Sequence, residues 1–357
     1  MSTDASEARR RRRKRRRAQR RLPLPSRGAV LLSFLIAIGF ALSGTIGAVA
    51  YFLPAISTGQ AIVNQGSLPS DTPATDATTT ATQRAAPKAG DPFTVLLLGS
   101  DNDSRFENTH LLTQSMILVR VVPATKHVTL LSIPRDLWVP ISGGGGTGKI
   151  DTAFAYGGGS VAGSAANAVA TVQQNFHVHI DHYVWIGLKG LVDLIDELGG
   201  VDVVTTNPVV DDFYPADLVP NGNPYLPYRV AVLPGAQHMT GLQAMEYVRS
   251  RHGDIREDFG RSERQQQVLL ALRVKAKSLN AFDLPKIAGA LNGQMATDMG
   301  YGQVGDLLPL ASELDPTAVQ RILLLPPYTH GQMFGDQDAV VADWSLVRPL
   351  VAQYFPS

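Results

Sequence analysis

The chain has 357 residues, 32 of them basic and 31 acidic, and no cysteine, which excludes disulfide stapling in any compartment. Its formal net charge of +1 is a cancellation, because residues 1–27 hold twelve basic residues beside Asp4 and Glu7. Residues 28–357 keep 20 basic against 29 acidic residues, so a uniformly basic nucleic-acid-binding domain is excluded as well.

The basic tail (Arg9 to Arg13, Lys14, Arg15 to Arg17, Arg20, Arg21, Arg27) runs directly into 26 uncharged residues, Gly28 to Leu53. At about 1.5 Å per helical residue that stretch exceeds the ~30 Å hydrocarbon core of a bilayer. Basic residues before it, with no comparable group after it, predict one transmembrane signal-anchor helix over 28–53. The N-terminus is then cytoplasmic, and the rest of the chain lies outside the cell membrane. Two rival readings stand beside this one. Ala48-Val49-Ala50 has the small-residue pattern of a signal-peptide cleavage site, and a block of like charge also suits nucleic acid. A topology signal held by anionic lipid headgroups is the simpler account of the tail, so membrane lipid is the expected partner and nucleic acid is not.

Residues 54–91, rich in Thr, Ser, Ala, Pro and Gly, bury too little apolar area to repay chain ordering and read as a disordered extracytoplasmic linker. A single domain over 92–357 follows. Strands are predicted at Thr94–Leu98, Met116–Val122 and His127–Ile133, the last two joined by a Pro123-Ala124-Thr125-Lys126 turn. Next come a helix near Ser164–Gln174, a strand at Tyr183–Ile186, a helix at Lys189–Leu198 stopped by Gly199-Gly200, and a strand at Val201–Val204. Thr240 and Gln243 form a capping-box pattern ahead of a helix to Val248. A long helix over about Arg261–Ser278, shorter helices, a strand at Ile322–Leu325 and a helix near Asp343–Tyr354 complete the chain. Strands alternating with helices predict an α/β fold, an α-β-α sandwich around a mixed central sheet.

Polar residues gather in three places: Gly99 to Arg105, Ser132 to Asp136 with the loop ending at Lys149, and Arg249 to Gln266. The first two lie at strand exits, where α/β sheets place ligands. Gly143, four residues, Gly148 and Lys149 mimic a P-loop, but Ile150 has no hydroxyl for a metal, and where a P-loop opens directly into a helix, ten residues here lead to Gly157-Gly158-Gly159. Arg249 and Arg251 point the same way only if their helix has ended, which Gly253 supports. Arg261 and Gln265, four apart, share a face in the first turn of the long helix. Basic side chains there oppose the helix dipole unless an anion intervenes. An anion site and a set of surface ion pairs with Glu257, Asp258 and Glu263 are equally compatible with this spacing. His177, His179 and His182 are read as structural, because a regular strand sends His182 to the face opposite the other two. The Asp211-Asp212 pair, in a Pro-rich segment, is read as a solvated loop, and Trp138 and Trp185 as packing residues.

VLLLGSDNDSR, MILVRVVPATKHVTLLSIPRD, KIDTAFAYGG, LVDLIDELGGVDV and GLQAMEYVRSRH with DFGRSERQQQ follow one another over roughly residues 92–275. In that order they resemble the successive motifs of the LytR-CpsA-Psr family. The resemblance implies that 92–357 is a catalytic domain outside the membrane. It implies binding of a polyprenyl-pyrophosphate carrier with its chain in an apolar tunnel, and transfer of the attached glycopolymer onto peptidoglycan by a phosphotransferase assisted by Mg²⁺ or Mn²⁺. It maps Asp101 onto the metal-side carboxylate and Arg135, Arg249 and Arg251 onto catalytic headgroup ligands. Lys149, Arg261 and Gln265 become further pyrophosphate contacts. The chain departs from the family pattern at Thr113-Gln114-Ser115-Met116, where the family has Asp-Thr-Met. Gln114 there offers a neutral carbonyl oxygen to the metal, with Asp103 as a possible substitute. Two other functions fit the same motifs: a lipid-phosphate binder without turnover, and a membrane-bound transcriptional attenuator whose Arg tail meets nucleic acid.

Overall fold

The structure, a computed structural model, describes residues 60–62, 90–101, 111–219, 222–223, 226–250, 257–277, 283–300 and 319–356. The chain divides into Met1–Leu53 and Pro54–Ser357, and all described residues belong to the second unit. The predicted basic tail and transmembrane helix lie outside the described residues, as do Asp103 and Arg251. No helix among the described residues is long and apolar enough to cross a membrane.

The first three strands are β1 (Phe93–Ser100), β2 (Thr113–Val122) and β3 (His127–Ile133). A short hairpin of β4 (Trp138–Ile141) and β5 (Gly146–Lys149) follows, then α1 (Val161–Phe176), β6 (His182–Gly187) and α2 (Leu188–Glu197). After β7 (Val201–Thr205) come β8 (Val209–Pro215), β9 (Pro227–Val232) and β10 (Gly235–Met239). They lead into α3 (Gly241–Arg249) and α4 (Glu257–Ala276). The remainder is α5 (Leu284–Leu291), β11 (Met295–Thr297), β12 (Val319–Leu323), β13 (Thr329–Phe334), β14 (Gln337–Ala342) and α6 (Trp344–Tyr354).

Six strands form the central sheet in the order β11-β6-β1-β2-β3-β12. Strands β1, β3, β6 and β12 run one way, and β2 and β11 run the other, so the sheet is mixed as expected. The runs VLLL and TLLSI lack polar alternation because both sheet faces are covered. Leu96, Leu98, Leu118 and Leu131 face α1 and α6, where Val169, Val172, Phe176, Val347 and Val351 meet them in the main core. Val95, Ile117, Val128 and Leu130 face the other way, toward Leu269 and Leu270 of α4. A third cluster joins α2, α3, α4 and β7 through Ile195, Val201, Met245 and Val268.

Local chemistry explains the joints. The β2–β3 hairpin turns through a short 3-10 helix at Pro123–Thr125 and closes with Lys126 in the left-handed region at φ 54°. The predicted capping box is present: Thr240 accepts from Gln243 N at 3.3 Å, and Gln243 Oε1 accepts from Thr240 N at 3.0 Å.

Two expectations are corrected, and the rejection of a P-loop stands. Helix α4 begins at Glu257, so Arg261 stands in its second turn and not its first. The segment read as a solvated Pro-rich loop contains the β8–β9 hairpin, and Asp211 within it is buried. The glycines of the P-loop mimic form the β4–β5 turn, with Gly143, Gly144 and Gly146 at positive φ. Lys149 then ends a strand and leads into a 3-10 turn at Ile150–Ala153, with no phosphate-cradling helix after it.

Candidate active site

Because β1 and β3 run parallel with β2 reversed between them, the ends of β1 and β3 and the start of β2 share one sheet edge. Asp101 follows β1 there, Gln114 is the second residue of β2, and Arg135 follows β3. The pairing of β1 with β2 slips at that point. Gly99 pairs with Ser115 and Ser100 with Thr113, so Gln114 is the extra residue of a β-bulge. Bulges re-aim side chains, and this one sets Gln114 between a carboxylate and a guanidinium. Its Nε2 donates to Asp101 Oδ2 at 2.6 Å, and its Oε1 accepts from Arg135 Nη1. Its main-chain oxygen accepts from Gln265 Nε2 of α4 at 3.2 Å.

Arg135 is held on a second side. Its Nη2 donates to Asp151 Oδ2 at 2.7 Å, and the backbone N–H of Asp151 donates to the Arg135 carbonyl at 3.1 Å. Asp151 is only 2% exposed. Burial pushes its carboxyl above the usual range against the pull of Arg135, with the Asp136 charge adding to the rise. Asp136 is the hub of a neighbouring triad. Lys149 Nζ reaches its Oδ1 at 2.9 Å, while Arg135 Nε and Arg261 Nη2 both stand 3.9 Å from its Oδ2. The Asp136 carbonyl accepts from Val340 N at 2.9 Å, which ties this loop to β14.

Arg249 ends α3, and Ser250 leaves the helix with ψ 135°. Its guanidinium forks onto Asp217, at 3.2 and 2.9 Å, and lies 5.6 Å from the centre of the Tyr214 ring. Burial works against the Arg249 charge, but Tyr214, Asp217 and Asp101 together outweigh it and hold the group firmly protonated. Arg264 of α4 donates to the Tyr247 carbonyl at 2.6 Å and to that of Ser250, closing orphan carbonyls at the end of α3. Below the site, Gln266 Nε2 donates to Ser132 Oγ at 2.9 Å, and Trp185 Nε1 donates to Ser100 Oγ at 2.7 Å.

The structure thus assembles Asp101, Gln114, Arg135, Lys149, Arg261 and Gln265 at one edge, while Arg249 is paired with Asp217 at the end of α3. Asp151, Asp217 and the hub role of Asp136 were missed by sequence reasoning, since nothing marks a buried aspartate before its partner is known. The three histidines do not converge: His179 pairs with Asp181 and His182 with Asp298, while His177 ends α1. Trp138 stacks on Phe334 with ring centres 4.4 Å apart.

The implied divalent cation does not fit the described donors. Gln114 was expected to offer its oxygen beside Asp101, but it turns its N–H₂ there and gives its oxygen to Arg135. Among the described residues no group of three His, Cys, Asp or Glu side chains is placed to hold a metal.

A model of the LytR_cpsA_psr family matches residues 58–334. The chain belongs to the LytR_cpsA_psr family. It is 33% identical over 214 residues to the polyisoprenyl-teichoic acid–peptidoglycan teichoic acid transferase TagU of Enterococcus faecalis, covering 59% of this chain and 63% of that one. It is 35% identical over 225 residues to biofilm regulatory protein A of Streptococcus mutans, covering 58% and 50%. The match thus spans between half and two thirds of these relatives' own lengths. Among solved structures, B. subtilis TagV aligns with a TM-score of 0.58 and 25% identity over 74% of this chain and 98% of that one. The mixed sheet between helical layers is therefore shared with other LytR_cpsA_psr proteins.

Proposed function

We propose that this chain is a membrane-anchored phosphotransferase that moves a glycopolymer from a polyprenyl-pyrophosphate carrier onto peptidoglycan. The observation that carries the reading is the convergence of Asp101, Arg135 and Lys149 on one sheet edge, in a family whose E. faecalis member is named for that transfer. The basic tail and apolar stretch support an N-terminus in the cytoplasm and a catalytic domain outside. On the α4 side of the sheet, Leu97, Val119, Val184, Leu269 and Leu270 are only partly buried and offer apolar surface to an isoprenoid chain.

In the proposed reaction an acceptor hydroxyl attacks the glycan-side phosphorus. A new P–O bond forms as the bridging P–O bond breaks, and the carrier leaves as its monophosphate. Asp101 takes the hydroxyl proton. Arg135 and Arg249 fork onto the phosphate oxygens, a role suited to planar groups that never lose their charge. Lys149 adds a point charge on the leaving side, and Arg251 and Arg261 add further headgroup contacts. Positioning and charge neutralisation supply most of the acceleration in phosphoryl transfer.

The test uses the full-length protein in vesicles with a polyprenyl-pyrophosphate-linked glycan and peptidoglycan. Glycan transfer with release of carrier monophosphate is expected, and Arg135→Ala should slow it by roughly 10²–10³-fold. A wild-type rate in that variant removes the assignment, and headgroup binding without release points to the lipid-binder alternative.

A further inference from the structure

We infer that Gln114 stands where a divalent cation would otherwise join Asp101 to the anion site, and that this chain neutralises its headgroup with guanidinium and ammonium groups alone. The inference rests on the phosphate-headgroup reading above and adds the means of neutralisation. Four observations support it. The β-bulge at Gly99/Ser100 aims Gln114 into the gap between Asp101 and Arg135. Its Nε2 donates to Asp101 Oδ2 at 2.6 Å, and an amide nitrogen bearing two protons has no lone pair for a metal. Its side-chain oxygen, the side-chain atom able to ligate, already accepts from Arg135 Nη1. Its backbone is pinned by Gln265 at 3.2 Å, so the residue is fixed by main chain and side chain together.

Rotating the amide cannot rescue a metal site. A flip would set the N–H₂ against the Arg135 guanidinium and the oxygen against the Asp101 carboxylate, replacing two attractive contacts with two repulsive ones. Magnesium relies on one or two carboxylates plus substrate phosphates. A neutral donor on Asp101 Oδ2 competes with that ion for that carboxylate oxygen. The amide also does part of the ion's work, because it links carboxylate to guanidinium and fixes their separation before substrate arrives.

Two measurements on the full-length protein in detergent test this. Manganese, a hard-oxygen probe for the magnesium position, is titrated while the electron paramagnetic resonance signal of the free ion is followed. Wild type should leave the signal unchanged, whereas Gln114→Asp should deplete it and gain thermal stability with added Mn²⁺. Depletion by wild type at protein-stoichiometric Mn²⁺ overturns the inference, and that arm needs no variant to fold. Separately, inorganic pyrophosphate binding to wild type is measured by calorimetry in EDTA and in excess Mg²⁺. Affinities within about twofold of each other are expected. A loss of about tenfold or more in EDTA overturns the metal-free inference and leaves the headgroup reading intact. No pyrophosphate binding in either buffer overturns the headgroup reading and, with it, the claim that basic groups alone neutralise it.

Discussion

Asp151 carries the clearest pH signature of the site, because the fold raises its carboxyl above the ordinary value of 3.8 chiefly by burial. A carboxyl whose folded pKa is raised binds its proton more tightly in the native state than in the unfolded chain. Its contribution to stability is therefore fully present below the unfolded value and is lost as pH rises through the folded one. Asp151→Asn should abolish that loss, so urea midpoints of wild type and variant should diverge as pH climbs from about 4 toward neutrality. Parallel profiles would show that Asp151 does not titrate differently in the fold. Arg135 should meanwhile lose one of its two anchors and bind headgroup more weakly. At this scale the sequence was half legible. Strand exits marked the segments that hold Asp101, Arg135 and Lys149, but these residues and Arg249 were singled out by the family resemblance, since spacing alone suited an anion site and surface ion pairs equally. Asp151 and Asp217 carried no such mark: each owes its role to a guanidinium, 16 and 32 residues away in the chain respectively, that only the folded chain brings close.

At the level of elements, α3 delivers Arg249 and is fixed at both ends. Thr240 begins it, Arg264 closes its last carbonyls, and Gly241 lets it lie against α2. A Cβ on Gly241 would stand 2.1 Å from the Val192 carbonyl oxygen, so backbone would have to move. Thr240→Ala should cost about 1 kcal/mol, or roughly 2–4 °C in melting temperature. Gly241→Ala should cost more and reduce transfer as well, since it shifts the helix that carries Arg249. Equal melting points for Gly241→Ala and wild type would show that α2 yields freely. The helices and central strands were readable here because their apolar periods are long and regular. The β8–β9 hairpin was not, because prolines at 208, 215, 220, 224 and 227 read as loop. The structure uses two of them, Pro215 and Pro227, as a facing pair at the end of the ladder.

For the molecule as a whole, the division after Leu53 predicts that the part holding the site needs nothing from the tail to fold. A chain beginning at Pro54 should melt cooperatively at the same temperature as full-length protein in detergent, and its pyrophosphate affinity should match. A lower melting point or a second transition would show that the first unit contributes to the fold. The far end of the chain is different in kind. Val340 of β14 donates to the carbonyl of Asp136 and bridges to Leu137, so the stretch between Arg135 and Lys149 leans on residues laid down two hundred positions later in synthesis. A ribosome that has just emitted the motifs of the active edge has not yet made the strand that props them. Competence should then arrive late, and a protease nick or bulky fusion near residue 340 should blunt carrier recognition without touching one group that meets the phosphate.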